Sequence, residues 1–205
     1  MLGKLFFNNK RYWEKRYSSG GNSGDGSFGE LANFKAEILN NFVKEHNIKS
    51  IIELGCGDGN QLKLAKYPQY LGLDISSTAV SLCRKTFQND SSKSFELMKE
   101  YKNEKAELSL SIDVIFHLGN DKDYAEYMQR LFDSAEKFVI IYSSNFIKES
   151  PSPHIKYRKF TEWIDQNKNQ WHLKEFIPNK YPFKGDIKTG SISDFYIYEI
   201  NSKSK

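Results

Sequence analysis

A glycine-rich segment in the first third of the chain offers the clearest chemistry. Residues 51–59 have the sequence IIELGCGDG, an apolar run that leads into Gly55, Gly57 and Gly59. Glycines at alternate positions let the backbone turn sharply and approach a ligand closely, because no Cβ stands in the way. The segment therefore predicts a loop that cradles a cofactor, with an ordinary tight turn as the alternative.

An acidic residue further along the chain supports the cofactor interpretation. Asp74 ends the next apolar run, about 20 positions after Gly55, where a carboxylate is placed to accept hydrogen bonds from the ribose hydroxyls of an adenosine. The glycine spacing after Glu53 is G-x-G-x-G, whereas the dinucleotide fingerprint is G-x-G-x-x-G. This difference disfavours a nicotinamide dehydrogenase.

Together these residues resemble motifs I and II of the class I S-adenosylmethionine-dependent methyltransferases. The resemblance implies an α/β, Rossmann-like fold with a seven-stranded, mostly parallel sheet that ends in a C-terminal antiparallel hairpin. It implies S-adenosylmethionine as the cofactor, with its ribose on Asp74 and its adenine against Ile75. Residues 98–100, Met-Lys-Glu, lack the Asp that the family commonly places near the adenine. The residues implied to cradle the methionine portion or to support that loop are Glu53, Gly55, Cys56, Gly57 and Gly59.

An aspartate and a histidine lie at the end of the fourth predicted strand. Residues 111–118, SIDVIFHL, are similar to the E-V-L-E-H-V segment of ubiquinone-biosynthesis-type O-methyltransferases, with Asp113 at the first Glu and His117 at the His. Phe116 replaces the second Glu, a carboxylate of potential use for a metal, so we expect no metal. His117 is a candidate general base, with a structural histidine as the alternative. We expect Asp113 to contact the cofactor or to orient a partner, and it is a further catalytic candidate.

An aromatic and basic segment precedes a glycine-rich stretch near the N-terminus. Residues 12–17 have the sequence YWEKRY, and residues 20–27 have GGNSGDGS. The arrangement resembles small bacterial methyltransferases with a Y-W-x-x-R-Y opening, in which this segment covers the cofactor. We therefore expect residues 1–30 to form a lid, with Arg16 or Ser27 meeting the cofactor carboxylate. A plain tether is the alternative.

Two later loops carry polar residues that could face an acceptor. Residues 151–159 follow the fifth predicted strand and include His154 and Arg158, which could reach an anionic acceptor. His154 is accordingly a further catalytic candidate. Residues 181–185, YPFKG, lie between the last two predicted strands and could wall the acceptor site. A solvated surface loop is the alternative in both cases.

Alternating strands and helices must position all of these residues. Apolar residues at helical spacing predict helices and short apolar runs predict strands. The alternation indicates a parallel sheet with helices on both faces, and the last two strands, with no helix between them, indicate an antiparallel hairpin. Ligands bind beyond the carboxyl ends of such strands. The predicted helices span residues 30–46, 60–66, 77–87, 124–135 and 160–166, and the strands span 50–54, 70–74, 95–98, 107–114, 138–143, 171–177 and 195–200.

Length and composition limit the classes of function. The 205 residues, 39% of them hydrophobic, predict a single domain over 1–205, with the lid at 1–30 and the Rossmann-like core at 31–205. The net charge of +4 is spread over interleaved acids and bases, so there is no broad basic stripe for nucleic acid. Cys56 and Cys83 lack metal-ligand spacing, and we expect no disulfide. The absence of a predicted signal peptide or membrane span favours the cytoplasm.

The favoured function is methyl transfer from S-adenosylmethionine to an oxygen or nitrogen of a small-molecule acceptor, with a sugar or surface-glycan precursor as one candidate. A nucleic-acid methyltransferase is disfavoured, because residues 113–116 do not match the N/D-P-P-Y/F motif that grips a flipped base. A protein methyltransferase and a non-catalytic S-adenosylmethionine-binding module stay open as alternatives. The sequence makes no prediction of the oligomeric state.

Overall fold

Strands and helices alternate along the computed structural model, which describes residues 8–150 and 152–201. Residues 1–7 of the predicted lid, Pro151 of the loop with His154, and residues 202–205 lie outside the described residues. The strands are β1 Ser50–Leu54, β2 Gln69–Asp74, β3 Lys93–Leu97, β4 Ala106–Ile112, β5 Ala135–Ser143, β6 Trp171–Ile177 and β7 Asp194–Ile200. The α-helices are α1 Asn9–Ser18, α2 Gly29–Glu45, α3 Ser77–Thr86, α4 Asp121–Asp133 and α5 Phe160–Asn167.

The strands form one seven-stranded sheet in the order β3-β2-β1-β4-β5-β7-β6. The first five strands of this order pair in parallel, whereas β7 runs antiparallel to both β5 and β6. The predicted fold class and its C-terminal antiparallel hairpin are therefore confirmed. The chain moves outward from β1 to β3 and then returns to the other side of β1 with β4. This reversal creates a crevice between the carboxyl ends of β1 and β4, where ligands bind in sheets of this kind.

Helices cover both faces of the sheet, as predicted. On one face, α2 and α3 pack on alternate strand residues such as Leu108 and Leu110. On the other face, α4 and α5 pack on residues such as Val139 and Ile141. Alternate side chains of a strand point to opposite faces, so the central strands are apolar on both sides. Burying each such side chain contributes roughly 1.5–3 kcal/mol, which fixes the strand ends that carry the polar residues.

The segment between β1 and β2 differs from the prediction. The helix expected over residues 60–66 is wrong, because the structure has only a short 3-10 turn at Gln61–Leu64. The side chain of Asn60 donates to the carbonyl of Ser27, and that of Gln61 donates to the carbonyl of Ala32. These bonds tie the segment to the lid and to α2, and Pro68 soon afterwards requires an extended backbone before it.

No helix in the described part of the chain has the length and apolar character needed to cross a membrane.

Candidate functional site

A cavity of about 860 Å³ opens at the carboxyl ends of β1, β2 and β4. Its floor includes the glycine loop after β1, Asp74 at the end of β2 and Asp113 after β4. Helix α1 and the glycine-rich segment after it contribute further walls, as do residues of the connection between β6 and β7. The structure thus brings most of the predicted site residues from distant parts of the chain to one concave surface.

The glycine loop adopts a backbone that a larger residue would disturb. Gly55 and Gly57 have φ angles of 88° and 60°, in the left-handed region that side chains disfavour. A Cβ on Gly55 would lie 2.5 Å from Cγ2 of Val114, and one on Gly57 would lie 2.3 Å from Oγ of Ser23. The loop therefore needs glycine both to turn and to admit the neighbouring segments.

Asp74 lies directly beneath this loop and is buried. Its Oδ2 accepts a hydrogen bond from the backbone N–H of Gly57 at 3.0 Å, and its Oδ1 accepts one from the backbone N–H of Ser76 at 2.8 Å. Burial raises the pKa of Asp74 to about 6, against the lowering effect of these N–H groups. The carboxylate lines the cavity and keeps lone pairs for a further donor.

Glu53 gives the cavity a second buried carboxyl group. The phenolic O–H of Tyr70 donates to its Oε2 at 2.7 Å. Burial raises the pKa of Glu53 to about 7, although the hydrogen bond from Tyr70 and the positive charge of Lys35 oppose the shift. The strand that leads into the glycine loop therefore carries a carboxyl group whose pKa lies near neutral pH.

The remaining residues implied by the family resemblance also surround the cavity. Cys56, Ile75, Arg16 and Ser27 all line it. The guanidinium of Arg16 donates from Nε to the carbonyl of Asn22 at 2.6 Å. Gly59 is not among the lining residues: a Cβ there would meet Sγ of Cys83 at 2.9 Å, so this glycine permits close packing against α3.

A carboxylate on helix α1 holds this helix against the start of α3. Glu14 accepts hydrogen bonds from the hydroxyls of Ser76 at 2.7 Å and Thr78 at 2.5 Å. These bonds, that of Thr78 above all, lower the pKa of Glu14 to about 2. Ser76 is also the N-cap of α3. The contact ties the predicted lid to the loop that carries Asp74.

Asp113 forms the polar centre of the far side of the cavity. Its Oδ2 accepts from Nζ of Lys35 at 2.8 Å, and its Oδ1 accepts from the hydroxyl of Ser193 at 2.9 Å. The side chain of Lys35 is only 2% exposed, whereas that of Asp113 is 27% exposed. Sequence reasoning missed Lys35 and Ser193. A signal for Lys35 was present, since it lies with Leu31 and Leu39 at i, i+4 spacing on the buried face of α2.

His117 and His154 belong to an aromatic cluster under α1. The two imidazoles stack at 5.6 Å, His117 packs edge-on against Trp13 at 5.0 Å, and His154 stacks on Tyr12 at 4.8 Å. Burial lowers the pKa of His117 to about 4, helped by the adjacent His154. Burial also lowers the pKa of His154. His117 is therefore neutral at neutral pH and only a weak base.

The two late loops divide between structural and cavity roles. Arg158 donates from Nη1 to the carbonyl of Leu118 at 2.6 Å and from Nη2 to Asp121 at 3.0 Å. It therefore braces the turn after β4, and it is not among the residues that line the cavity. Phe183 of the β6–β7 connection does line the cavity and is 44% exposed.

The described residues contain no cluster of three or more His, Cys, Asp or Glu that could hold a metal ion.

A family model described as a methyltransferase domain matches residues 45–194. These residues carry the glycine loop, Asp74, Asp113 and His117. The chain belongs to this methyltransferase family. It is an S-adenosylmethionine-dependent methyltransferase of class I, and S-adenosylmethionine is its methyl donor. The finer likeness to ubiquinone-biosynthesis enzymes is not distinguished by this match.

Solved structures support the fold of this methyltransferase. N-methyltransferase NodS from Bradyrhizobium japonicum WM9, crystallised with S-adenosylhomocysteine, is similar with a TM-score of 0.70, 11% identity and coverage of 96% of this chain and 100% of that one. Magnesium protoporphyrin IX methyltransferase from Synechocystis PCC 6803, with bound S-adenosylmethionine, gives 0.66 and 13% over 96% and 99% of the two chains.

The methyltransferase domain of bacterial CtHen1 is also similar, with a TM-score of 0.61, 20% identity and coverage of 82% of this chain and 100% of that one. At sequence identities this low, the similarity shows a shared fold alone. A search of curated proteins finds no match.

Proposed function

We propose that this methyltransferase acts on an oxygen or nitrogen of a small-molecule acceptor inside the cavity. The observation that carries the proposal is that one cavity joins the Asp74–Gly57 hydrogen bond on one side to the Asp113 carboxylate on the other. The first side suits an adenosine and the second suits a group with an N–H or O–H. An acceptor atom placed between these two sides would lie next to both the methyl donor and the group that takes up the proton.

The cofactor half of the cavity fits S-adenosylmethionine. The ionised form of Asp74 has lone pairs for the ribose hydroxyls, and Ile75 offers an apolar surface for the adenine. The methionine portion would lie along Gly55, Cys56 and Gly57, above Glu53, with Gly59 packing the loop onto α3. Arg16 and Ser27 supply candidate donors to its carboxylate. Within the described residues, the buried Oε1 of Gln61 has no hydrogen-bond partner and also lines this cavity.

The chemistry needs little from the protein beyond position. Bound S-adenosylmethionine supplies a methyl group on a positively charged sulfur, which is a strong electrophile. The chain's own residues then have to orient the acceptor, exclude water and take up one proton. The groups available for the last task are Asp113, His117 and His154, our catalytic candidates.

A small acceptor fits this site better than a macromolecule. The cavity is walled by α1, by the turn after β4 and by the β6–β7 connection, so an acceptor has to enter it. A sugar or surface-glycan precursor is of suitable size. We further propose that residues 1–30 act as the lid of a single domain whose core is 31–205. The free, buried thiols of Cys56 and Cys83 suit a reducing compartment such as the cytoplasm.

The test is transfer of tritium from methyl-labelled S-adenosylmethionine to fractions of an extract of the native organism. We expect label in the low-molecular-weight fraction, and loss of that label with Asp74→Asn protein. Label in RNA or in protein would assign a macromolecular acceptor instead. Binding of S-adenosylhomocysteine without transfer to any fraction would leave a cofactor-binding module.

A further inference from the structure

We propose that Lys35 and Ser193 are positioning residues that fix Asp113 as the acceptor of the substrate's proton. The inference rests on the proposed function and adds to it the group that takes the proton. Three parts of the chain meet at this point. Lys35 lies on α2, Asp113 lies in the turn after β4, and Ser193 directly precedes β7.

The burial of Lys35 is the first argument. Moving an ammonium group out of water costs several kcal/mol unless a partner compensates it, and apolar residues would often serve stability as well or better. The partner here is a carboxylate that remains 27% exposed and lines the cavity. Because this buried cation contacts a carboxylate on the cavity wall, we infer that Lys35 has a role in the site.

The backbone of Asp113 is the second argument. Its φ angle is 58°, which is uncommon for a residue with a side chain and is maintained only where the surroundings fix it. The conformation places the carboxylate between Lys35 and Ser193, and each oxygen accepts one of these bonds. Each carboxylate oxygen has two lone pairs, so one on each oxygen stays available to a substrate N–H or O–H.

The segment that carries Ser193 is fixed as well. Asn179 donates from Nδ2 to the carbonyl of Ser193 at 2.9 Å and to the hydroxyl of Tyr142 at 2.5 Å. Its backbone N–H donates to Oδ1 of Asp194 at 2.8 Å. This network connects β5, β7 and the end of β6, so the Ser193 hydroxyl is held towards Asp113.

The lid covers the ion pair. A Cβ on Gly26 would lie 3.4 Å from Oδ2 of Asp113 and 3.8 Å from Nζ of Lys35. The backbone of the lid therefore packs against the pair and covers part of it, while the Asp113 side chain stays 27% exposed. Exclusion of water strengthens the interaction between the charges. A lid that closes over the cofactor also completes the surroundings of Asp113.

Other ionisable groups near Asp113 leave Lys35 as the charge that governs it. His117 follows β4 and is neutral, because burial lowers its pKa to about 4. Tyr142 on β5 stays protonated, because burial raises its pKa. Asp194 on β7 is engaged by the N–H of Asn179.

The step balances without a further reagent. The acceptor oxygen or nitrogen forms a bond to the methyl carbon, and the bond between that carbon and the donor sulfur breaks with its electron pair left on sulfur. The proton of the acceptor moves to the carboxylate of Asp113 and leaves to solvent when the lid opens. No oxidant, reductant or metal is consumed.

The test follows the carboxyl carbon of Asp113 by ¹³C NMR during pH titration of the S-adenosylhomocysteine complex. Loss of the adjacent cation in Lys35→Met should raise the midpoint that the titration measures, and Lys35→Arg should restore it. The matched control is Lys44→Met, an exposed lysine on the same helix, which should leave the midpoint unchanged. An unchanged midpoint in folded Lys35→Met protein would overturn the proposal.

The second measurement is the rate at which tritium passes from methyl-labelled S-adenosylmethionine to the low-molecular-weight fraction. Lys35→Met should lower kcat by about 10- to 100-fold and move the acidic limb of the pH profile upward, with S-adenosylhomocysteine affinity unchanged. Ser193→Ala is the milder variant, expected to lower kcat by about 2- to 10-fold. A rate loss with no movement of the acidic limb would indicate a structural role and overturn the inference. Transfer of label by the wild-type protein to RNA or protein, and not to this fraction, would instead contradict the proposed function itself.

Discussion

Ser23 and Asp58 exchange two hydrogen bonds: the backbone N–H of Ser23 donates to Oδ2 of Asp58 at 3.0 Å, and the backbone N–H of Asp58 donates to Oγ of Ser23 at 3.1 Å. The hydroxyl of Tyr17 lies 3.1 Å from the same Oγ. The predicted lid is thereby attached directly to the glycine loop. Closure of the lid and the shape of the loop should therefore depend on each other.

Removal of this hydroxyl should loosen the lid. In Ser23→Ala, we expect faster amide hydrogen exchange over residues 10–30 and a loss of S-adenosylhomocysteine affinity of about 2- to 10-fold, because two contacts to Oγ are lost. In the wild-type protein the same amides should slow when S-adenosylhomocysteine binds. Ser19→Ala, an exposed change in the same segment, is the control. Equal exchange with and without ligand would favour a plain tether.

Asp74 should dominate cofactor affinity. Asp74→Asn keeps the shape of the side chain and removes charge-assisted hydrogen bonds worth about 1.5–3 kcal/mol each, so affinity should fall by about tenfold or more. Calorimetry with S-adenosylhomocysteine measures the change, and Asp165→Asn on the exposed side of α5 is the control. Unchanged binding by folded Asp74→Asn protein would show that the ribose lies elsewhere.

The same residue should make binding depend on pH. In the protein without ligand, burial raises the pKa of Asp74 to about 6. Ribose hydroxyls that donate to the ionised carboxylate would lower this pKa in the complex. Binding near pH 6 should then release protons, and affinity should rise from pH 5 to pH 7. Calorimetry in buffers of different ionisation enthalpy detects the release, which should disappear in Asp74→Asn. Proton uptake on binding would contradict this assignment.

Glu53 should reduce stability at alkaline pH. Burial raises its pKa from 4.5 to about 7, so between these values the folded state binds more protons than the unfolded state. The free energy of unfolding should therefore fall as pH rises across this range. Glu53→Gln should reduce that slope and be more stable than the wild type at pH 8, by on the order of 1–3 kcal/mol. Chemical denaturation at pH 5 and pH 8 measures this, with Glu162→Gln as an exposed control. The prediction would be contradicted if the free energy of unfolding of the variant fell with pH as steeply as that of the wild type.

His117 and Asp113 can be separated as proton acceptors. His117→Phe keeps an aromatic ring between Trp13 and His154 but has no nitrogen, and kcat should fall by less than about tenfold. Asp113→Asn should lower kcat by about 10²–10⁴-fold, the range typical of a lost general base. Both rates are measured with the labelled low-molecular-weight fraction. The opposite order would return the role to His117.

Local patterns explain why much of the fold could be predicted. The strands at Ser50–Leu54 and Trp171–Ile177 have the expected bounds, and α2 differs from its prediction by one residue at each end. Apolar spacing within a short stretch is sufficient for such elements. The segment at 60–66 failed because its polar side chains bond to the lid and to α2, contacts that sequence spacing does not contain.

The site divides in the same way. The glycine loop and Asp74 belong to one local motif, and the structure places both at the cavity. The bonds from Lys35 and Ser193 to Asp113 join residues 78 and 80 positions apart in the chain. No local pattern contains such pairs, and only the buried lysine on an apolar helix face gave a sign of one. The low basicity of His117 also depends on burial by α1, which its sequence neighbours do not reveal.

A crystal structure of the full chain with S-adenosylhomocysteine tests the central claim most directly. We predict ribose hydroxyls at hydrogen-bonding distance, about 2.5–3.0 Å, from the carboxylate of Asp74, and a sulfur atom that faces Asp113. An adenosine bound away from Asp74, or a sulfur that points away from Asp113, would contradict the account.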